Sequence, residues 1–523
     1  MDHPTAFTYV NQPEDESADQ EYEKALVRVM SGFGEAHPLW IGKEKVIAGS
    51  EFEVRAPFDR NLLIGSFQNC EMEHIDRAIS QANDGFETWG RHSWEERVTI
   101  AEKIADVLES WKYDLSAIIT CESGKPRPEA IAEAREAVDL IRYHCSVYRE
   151  HNGFISPMQP ESENAESTSV MRPYGVFAVI SPFNFPLSLA TGMACSALLT
   201  GNSVILKPAS ATPLTSLWLY RACIMAGVPH DTVHYLTGPG ERFGEVITGH
   251  AGIAGIAFTG SRDAGNWINR TFQERQPYKK PVILELGSKN PVIVTGNADV
   301  EKAAEGVFKS AYGYCGQKCS ATSRVYVQED VAGQFIDLLR ERTEALRVGD
   351  PRLKDIFNGP LIDRHAVERY VEAVSLARND GISVVTGGGV MTGGMYERGY
   401  FVQPTILAGV PEDHFLVKNE LFIPLVVVNT FSTLPEALRK ANNSYYGLTA
   451  GIFSEDDEEV AYFFDTIQSG VTYANRRGGA TTGAWPGSQP FGGWKASGST
   501  GKGVGGPWYL LSYLREQART RIR

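Results

Sequence analysis

"VFAVISPFNFPLSLATGMACSALLTGNSVILK", residues Val176 to Lys207, sets the architecture of the chain. Its first five residues are an unbroken apolar run, the pattern of a strand covered on both faces, as in a parallel sheet. A proline-rich turn follows, then a helical run of small and apolar residues from Leu187 to Leu199, then a second apolar run, "SVILKP". Strand, helix and strand in close succession are the crossover unit of parallel sheets. The alternation continues through a helix Thr215 to Ala226, "TVHYLTG", a helix near Glu241 to Thr248, "GIAFTG", a helix Ser261 to Gln273 and "PVILELG". A second run starts at "PVIVTG" and passes through a helix around Val300 to Cys315, "SRVYVQ" and a helix Val331 to Leu346. It ends in "SVVTGGG", "FVQPTIL" and "LFIPLVVVNTF". The expected fold class is α/β, with two doubly wound lobes.

Upstream of this core, apolar spacing predicts helices over Tyr22 to Met30, Glu73 to Trp89 and Trp94 to Ser110, and Pro126 opens a long one over Arg127 to Glu150. The acidic start of that last helix suits the positive end of a helix dipole. Glu136 is therefore either a dipole partner or a site residue. Residues up to about Gln20 read as a mobile lead. Between His151 and Thr168 the pattern breaks, giving either a linker or a projecting hairpin. At the other end "YLLSYL", followed by a basic tail, reads as an edge strand in need of a partner.

The 523 residues are 42% hydrophobic and 22% charged, the composition of a globular protein large enough for more than one core. A net charge of −14 argues against a nucleic-acid partner. The seven cysteines are scattered and odd in number, which points to a reducing compartment rather than a disulfide framework. No basic-then-apolar leader and no membrane-length apolar run is present, so a cytoplasmic location without membrane contact is expected. Cysteine and histidine spacings show no paired ligand pattern, and no metal site is expected.

The chemistry centres on Ser310 to Arg324, "SAYGYCGQKCSATSR". Cys319 stands among small residues that let a substrate carbon approach its sulfur. Only the thiolate is a strong nucleophile, and an unperturbed thiol, with a pKa of about 8.5, is mostly protonated at neutral pH. Cys315, four residues earlier, reads as a packed residue. Asn184 in "SPFNFPLS" either caps a turn or presents its amide at the carboxyl ends of the strands, where open α/β sheets bind ligands. Lys207 in "LKPAS" is either a solvated residue or a ribose or phosphate contact. "FTGSRDAG" turns at Gly260 into a helix starting at Ser261, whose N-terminus suits pyrophosphate. Glu285 in "LELGSKNP" is either a strand-end carboxylate or, raised in pKa by burial, a general base.

In order along the chain, "PFNFP", "LKPA", "FTGS", "ELGSKNP", "GQKC", "NGPLI" (Asn358 to Ile362), "ELFIP" (Glu420 to Pro424) and "PFGGWKASG" (Pro490 to Gly498) resemble the motifs of the aldehyde dehydrogenase superfamily. The resemblance runs from about Pro38 to about Ser512. It implies that family's fold, with a nicotinamide-binding lobe over 1–150 and 173–287, a catalytic lobe over 288–487, and a hairpin and C-terminal strand at 151–172 and 499–523 that join subunits into a homo-oligomer. It implies a small aldehyde as substrate, Cys319 as nucleophile, an oxyanion held by Asn184 and the Cys319 N–H, and Glu285 as the base that activates water. NAD would lie against Ser181, Phe183, Lys207, Ser210, Gly240, Gly244, Gly260, Ser261, Leu286, Glu420 and Phe422. Ser210 stands where many NAD-preferring members carry a glutamate, so NADP is also compatible.

The C-terminal segment "TTGAWPGSQPFGGWKASGSTGKGVGG" resembles the glutamate-semialdehyde branch of the family. By that resemblance Ser320 and the loop at Gly483 and Ala484 hold a substrate carboxylate, Phe185 and Phe491 flank the substrate chain, and Glu136 lies near it. Backbone N–H groups and a hydroxyl suit a carboxylate. Oxidation of another semialdehyde or aliphatic aldehyde is the nearest alternative, and a non-catalytic member of the fold the remote one.

Overall fold

The computed structural model describes residues 16–480 and 484–523. The first ten α-helices of the described residues carry labels here: α1 (Glu16–Met30), α2 (Met72–Trp89), α3 (Trp94–Ser110), α4 (Lys112–Ser123), α5 (Arg127–Glu150), α6 (Ser188–Leu199), α7 (Pro213–Ala226), α8 (Gly240–Gly249), α9 (Arg262–Arg275) and α10 (Val300–Tyr312). The first seven-stranded sheet runs, side by side, through Val282–Glu285, Ile253–Thr259, Val176–Ile180, Ser203–Lys207, Val233–Tyr235, Leu39–Ile41 and Glu44–Val46. Its first five strands are parallel, and the two upstream strands join antiparallel at one edge.

Period-two alternation explains why these strands are apolar throughout. Phe177 and Val179 enter the core formed with α3, α5, α6 and α7, while Val176 and Ala178 enter the opposite core with α2, α8 and α9. Both faces are dry, so no polar position is available. The second sheet has the same plan, in the order Ser383–Thr386, Thr405–Ala408, Leu425–Phe431, Thr322–Gln328, Asn290–Val294, Thr449–Phe453 and Val471–Ala474. Only its first pair is antiparallel. A separate antiparallel sheet joins Ile155–Met158, Ala165–Pro173 and the C-terminal strand Leu514–Ile522. Of the two readings of residues 151–168, the hairpin is the one found. Among the described residues no helix is long and apolar enough to cross a membrane.

Two expectations change, and one helix has no counterpart in the sequence reading. The lead through Gln20 lies partly outside the described residues, but from Glu16 onward it is helical. Asp19 pairs with Arg127 at 3.1 Å and with Lys354 at 2.5 Å, and Glu23 pairs with Arg127 at 2.7 Å, so acidic residues that look solvated are anchored by distant cations. "YLLSY" is a 3-10 turn whose Tyr509, Leu510 and Tyr513 are buried, and the strand is the polar segment after it. Helix α4 has no amphipathic stripe because every residue from Asp114 to Ser123 is buried, which hides it from periodicity.

Candidate active site

Strand register brings the motif ends together. Ile180 has Lys207 as its partner on one side and Phe258 on the other, and Phe258 in turn faces Leu284. The chain leaves Val176–Ile180 toward one edge and later returns on the other, so a cleft opens at the carboxyl ends of the strands at that switch point. The cleft holds about 400 Å³ and is lined by Phe183, Asn184, Gly260, Ser261, Glu285, Leu286, Cys319, Glu420 and Phe422 among others. Nine of the residues singled out in sequence thus share one space.

The loop that presents Cys319 is strained. After α10, Tyr314, Cys315 and Gly316 follow with φ of 49°, 56° and 64°. The two non-glycine residues cost on the order of 1–3 kcal/mol each in this left-handed region. At Gly316 a Cβ would approach the Ile423 carbonyl oxygen to 2.5 Å, so no side chain fits. Surrounding bonds hold the loop. The Tyr314 hydroxyl donates to the Ser123 carbonyl at 2.9 Å, and the Ile362 N–H donates to Gln317 Oε1 at 2.8 Å. Behind the nucleophile, Ser288 Oγ and Asn290 Nδ2 donate to the Cys319 carbonyl at 2.5 and 2.7 Å. Asn290 also donates to the Ala321 carbonyl and accepts from the Thr449 N–H, both at 2.9 Å. "GQKC", "ELGSKNP" and "NGPLI" are therefore one bolted assembly, and Ser288 and Asn290 are supports that the sequence motif contains without announcing.

Six of the seven cysteines are buried and Cys319 is partly exposed. Burial, then the carboxyl groups of Glu420 and Glu285, push the Cys319 thiol up to about 12. Burial also holds Glu285 well above the usual carboxyl range, and its Oε2 has no hydrogen-bond partner among the described residues. Ionising either of the two groups opposes ionising the other. Asn184 is buried, and its amide makes no hydrogen bond to any described residue. The cleft therefore brings together a partly exposed thiol, a buried carboxyl and an uncommitted amide, the group types that a nucleophile, a general base and an oxyanion donor require.

The strand ends beside the cleft carry further donors, although Lys207, Ser181, Ser210, Gly240 and Gly244 do not themselves line it. Lys207 is buried, lowered to about 8 by desolvation, and without a hydrogen-bond partner among the described residues. A methyl on Gly240, the first residue of α8, would lie 3.9 Å from its Nζ. The Ser181 hydroxyl is buried and has no hydrogen-bond partner among the described residues, and Ser261 caps α9 by accepting the Ala264 N–H at 3.4 Å. An unpaired ammonium, a hydroxyl and a helix N-terminus fit the ribose hydroxyls and pyrophosphate of a dinucleotide. The Ser210 hydroxyl donates to the Gly238 carbonyl at 3.3 Å, leaving no carboxylate at that position. Glu420 Oε1 accepts the Ser288 N–H at 2.7 Å, and burial raises it to about 7. Phe422, at φ 59°, sets its ring edge-on to Phe183 at 5.9 Å. At Gly244 a Cβ would meet the Trp267 ring at 2.9 Å, so this glycine lets α8 pack on α9.

Across the nucleophile loop, Ser320 lines a second cavity of about 190 Å³ with Ser310, Lys309, Lys318 and Glu129. Lys318 and Glu129 are ion-paired at 2.5 Å. Phe185 and Phe491 are buried rings. Gly483 lies outside the described residues. The Ala484 N–H, expected to face a substrate anion, donates instead to Glu136 Oε1 at 2.8 Å, because the loop folds back onto α5. Burial raises Glu136 to about 8. One pair had no signal in the sequence: Lys125 and Glu133 form a fully buried salt bridge. Glu133 Oε1 accepts the N–H groups of Leu187 at 2.8 Å and Ser188 at 3.2 Å, and the Lys125 ammonium lies 3.6 Å from the Phe185 ring centre. This pair ties α5 to the turn carrying Asn184.

The sequence profile of the aldehyde dehydrogenase family matches residues 44–518, and the chain belongs to that family. Within it, the chain is 36% identical over 505 residues to the 1-pyrroline-5-carboxylate dehydrogenase of Geobacillus thermodenitrificans, covering 96% of this chain and 95% of the relative. It superimposes on the 1-pyrroline-5-carboxylate dehydrogenase from Thermus with bound NAD at a TM-score of 0.93, with 31% identity over 98% of this chain and 99% of that one. The betaine aldehyde dehydrogenase of Staphylococcus aureus in complex with NAD+ is further off, with a TM-score of 0.89 and 26% identity over 96% of this chain and 97% of that one.

Proposed function

We propose that this enzyme oxidises L-glutamate 5-semialdehyde, the open form of 1-pyrroline-5-carboxylate, to L-glutamate with NAD, a step of proline degradation. The observation that carries this is the partly exposed thiol of Cys319, sharing its cleft with the uncommitted amide of Asn184 and the buried carboxyl of Glu285. The names of the full-length relatives supply the substrate.

Cys319, as thiolate, adds through Sγ to the aldehyde carbon. The carbonyl oxygen becomes an alkoxide, held by the Asn184 amide and the Cys319 N–H. NAD, when bound, supplies the acceptor for the hydride that leaves this carbon. Glu285 then takes a proton from water, which attacks the thioester and releases Cys319 as thiolate and the product as a carboxylate. Splitting the oxidation into two steps through a covalent adduct is the advantage of nucleophilic catalysis.

Lys207, Ser181, Ser210 and Gly240 receive the adenosine ribose and its neighbours, Gly260 and Ser261 the pyrophosphate, and Glu420 the nicotinamide ribose. Phe183, Leu286 and Phe422 pack about the nicotinamide. With a hydroxyl at Ser210, NADP is tolerated as well. Ser320 takes the substrate carboxylate, and the ammonium groups of Lys309 and Lys318 share its cavity. Phe185 and Phe491 flank the substrate chain, with Glu136 behind them.

Residues 1–150 and 173–287 form the cofactor lobe and 288–487 the catalytic lobe. Segments 151–172 and 499–523 join subunits of a homo-oligomer that works in the cytoplasm. The test is turnover with 1-pyrroline-5-carboxylate, succinate semialdehyde and hexanal under both cofactors. The highest kcat/KM is expected for 1-pyrroline-5-carboxylate with NAD, and a higher value for either competitor removes the substrate assignment.

A further inference from the structure

The outer edge of the first sheet carries a cavity that the proposed reaction does not use. It holds about 320 Å³ and is lined by Trp40, Trp111, Trp218, Tyr220, Arg221 and His230, among others. None of these residues lines the catalytic cleft. Trp111 meets Trp218 edge-on at 5.0 Å, and Trp40 meets Tyr220 at 5.5 Å, so the rings brace one another. The indole N–H of Trp40 and Nδ1 of His230 are buried and have no hydrogen-bond partner among the described residues. The Arg221 guanidinium likewise has no hydrogen bond or ion pair with any described residue. Burial lowers its pKa from the usual value, and the carboxylate that acts on it, Glu35, is not in ion-pair contact.

An aromatic box by itself would favour an organic cation. Here a guanidinium within the lining and the Lys45 ammonium, 5.3 Å from the Trp40 ring centre, repel one. In a chain of net charge −14, a half-buried arginine without an acceptor bears a desolvation cost that a carboxylate would relieve. We propose that this cavity binds a small aromatic carboxylate, with its ring among Trp111, Trp218 and Tyr220 and its carboxylate on Arg221. The volume suits a one- or two-ring ligand.

The experiment is calorimetric titration of 2-naphthoate into the NAD-saturated enzyme, with phenyltrimethylammonium as the oppositely charged control. Binding of one naphthoate per chain is expected, weakened roughly tenfold or more by Arg221→Gln, which removes a charge-assisted hydrogen bond. Trp218→Leu is expected to weaken it independently of the charge. Turnover at the catalytic cleft stays unchanged in both variants, which also shows that they fold. The proposal is overturned if naphthoate gives no binding up to roughly 1 mM, if neither variant alters its affinity, or if phenyltrimethylammonium binds as tightly.

Discussion

Exposure, not residue type, separates Cys319 from the other cysteines of the chain. Cys315, in the same loop, is buried with its thiol donating to the Gly359 carbonyl at 3.0 Å, and burial raises its pKa as well. Of the charged neighbours that oppose ionisation of Cys319, Glu420 ranks first. A carboxylate raises a nearby thiol's pKa and a neutral amide does not, so Glu420→Gln is expected to move the pH midpoint of Cys319 alkylation by iodoacetamide downward. An unchanged or raised midpoint contradicts this. Asn184→Ala is expected to lower kcat on the order of 10²–10³-fold, the usual cost of losing an oxyanion donor. Glu285→Gln separates the two chemical steps: a burst of one NADH per site followed by slow turnover is expected in rapid-mixing kinetics. A variant without a burst would place Glu285 in the first step instead.

At the scale of elements, the active site depends on contacts that no local pattern encodes. The periodicity of α5 predicts a helix, and the helix is found over its predicted span. Its role comes from Glu133 and Glu136, which reach the turn after Pro186 and the Ala484 loop respectively. The Lys125–Glu133 pair is expected to behave as buried pairs do when broken. Lys125→Met alone should cost about 3–5 kcal/mol by leaving a carboxylate buried without its cation. Lys125→Met with Glu133→Gln should recover much of that, since Gln still accepts from the Leu187 and Ser188 N–H groups. Urea unfolding of the two variants measures the difference, and equal stability of both would show that charge is not what matters there.

At the scale of the molecule, the chain forms two wound seven-stranded sheets and a small antiparallel sheet whose two outer strands each have an edge unpaired among the described residues. Ile155–Met158 is exposed throughout, and Leu514–Ile522 is exposed beyond Leu514. Open edges seek strands, and in the proposed homo-oligomer a second copy of this chain would supply them. Removing residues 514–523 is therefore expected to reduce the mass seen by light scattering toward that of one chain, whereas a truncated protein of unchanged mass would assign the contact elsewhere.

The sequence by itself determined the burial of each strand and the position of most helices, and it singled out Cys319, Asn184 and Glu285 as candidate chemical groups. These follow from short-range patterns, because hydrophobic periodicity and turn residues report on local exposure. Tertiary structure decided which motif ends lie side by side, through register between strands far apart in the chain. It also decided that Glu16 to Gln20 is helical, that the tail strand is the polar segment rather than "YLLSYL", that Gly244 serves helix packing, and that the Ala484 N–H belongs to Glu136. Each of these turns on a partner more than twenty residues away, and long-range partner choice leaves no mark on the local pattern.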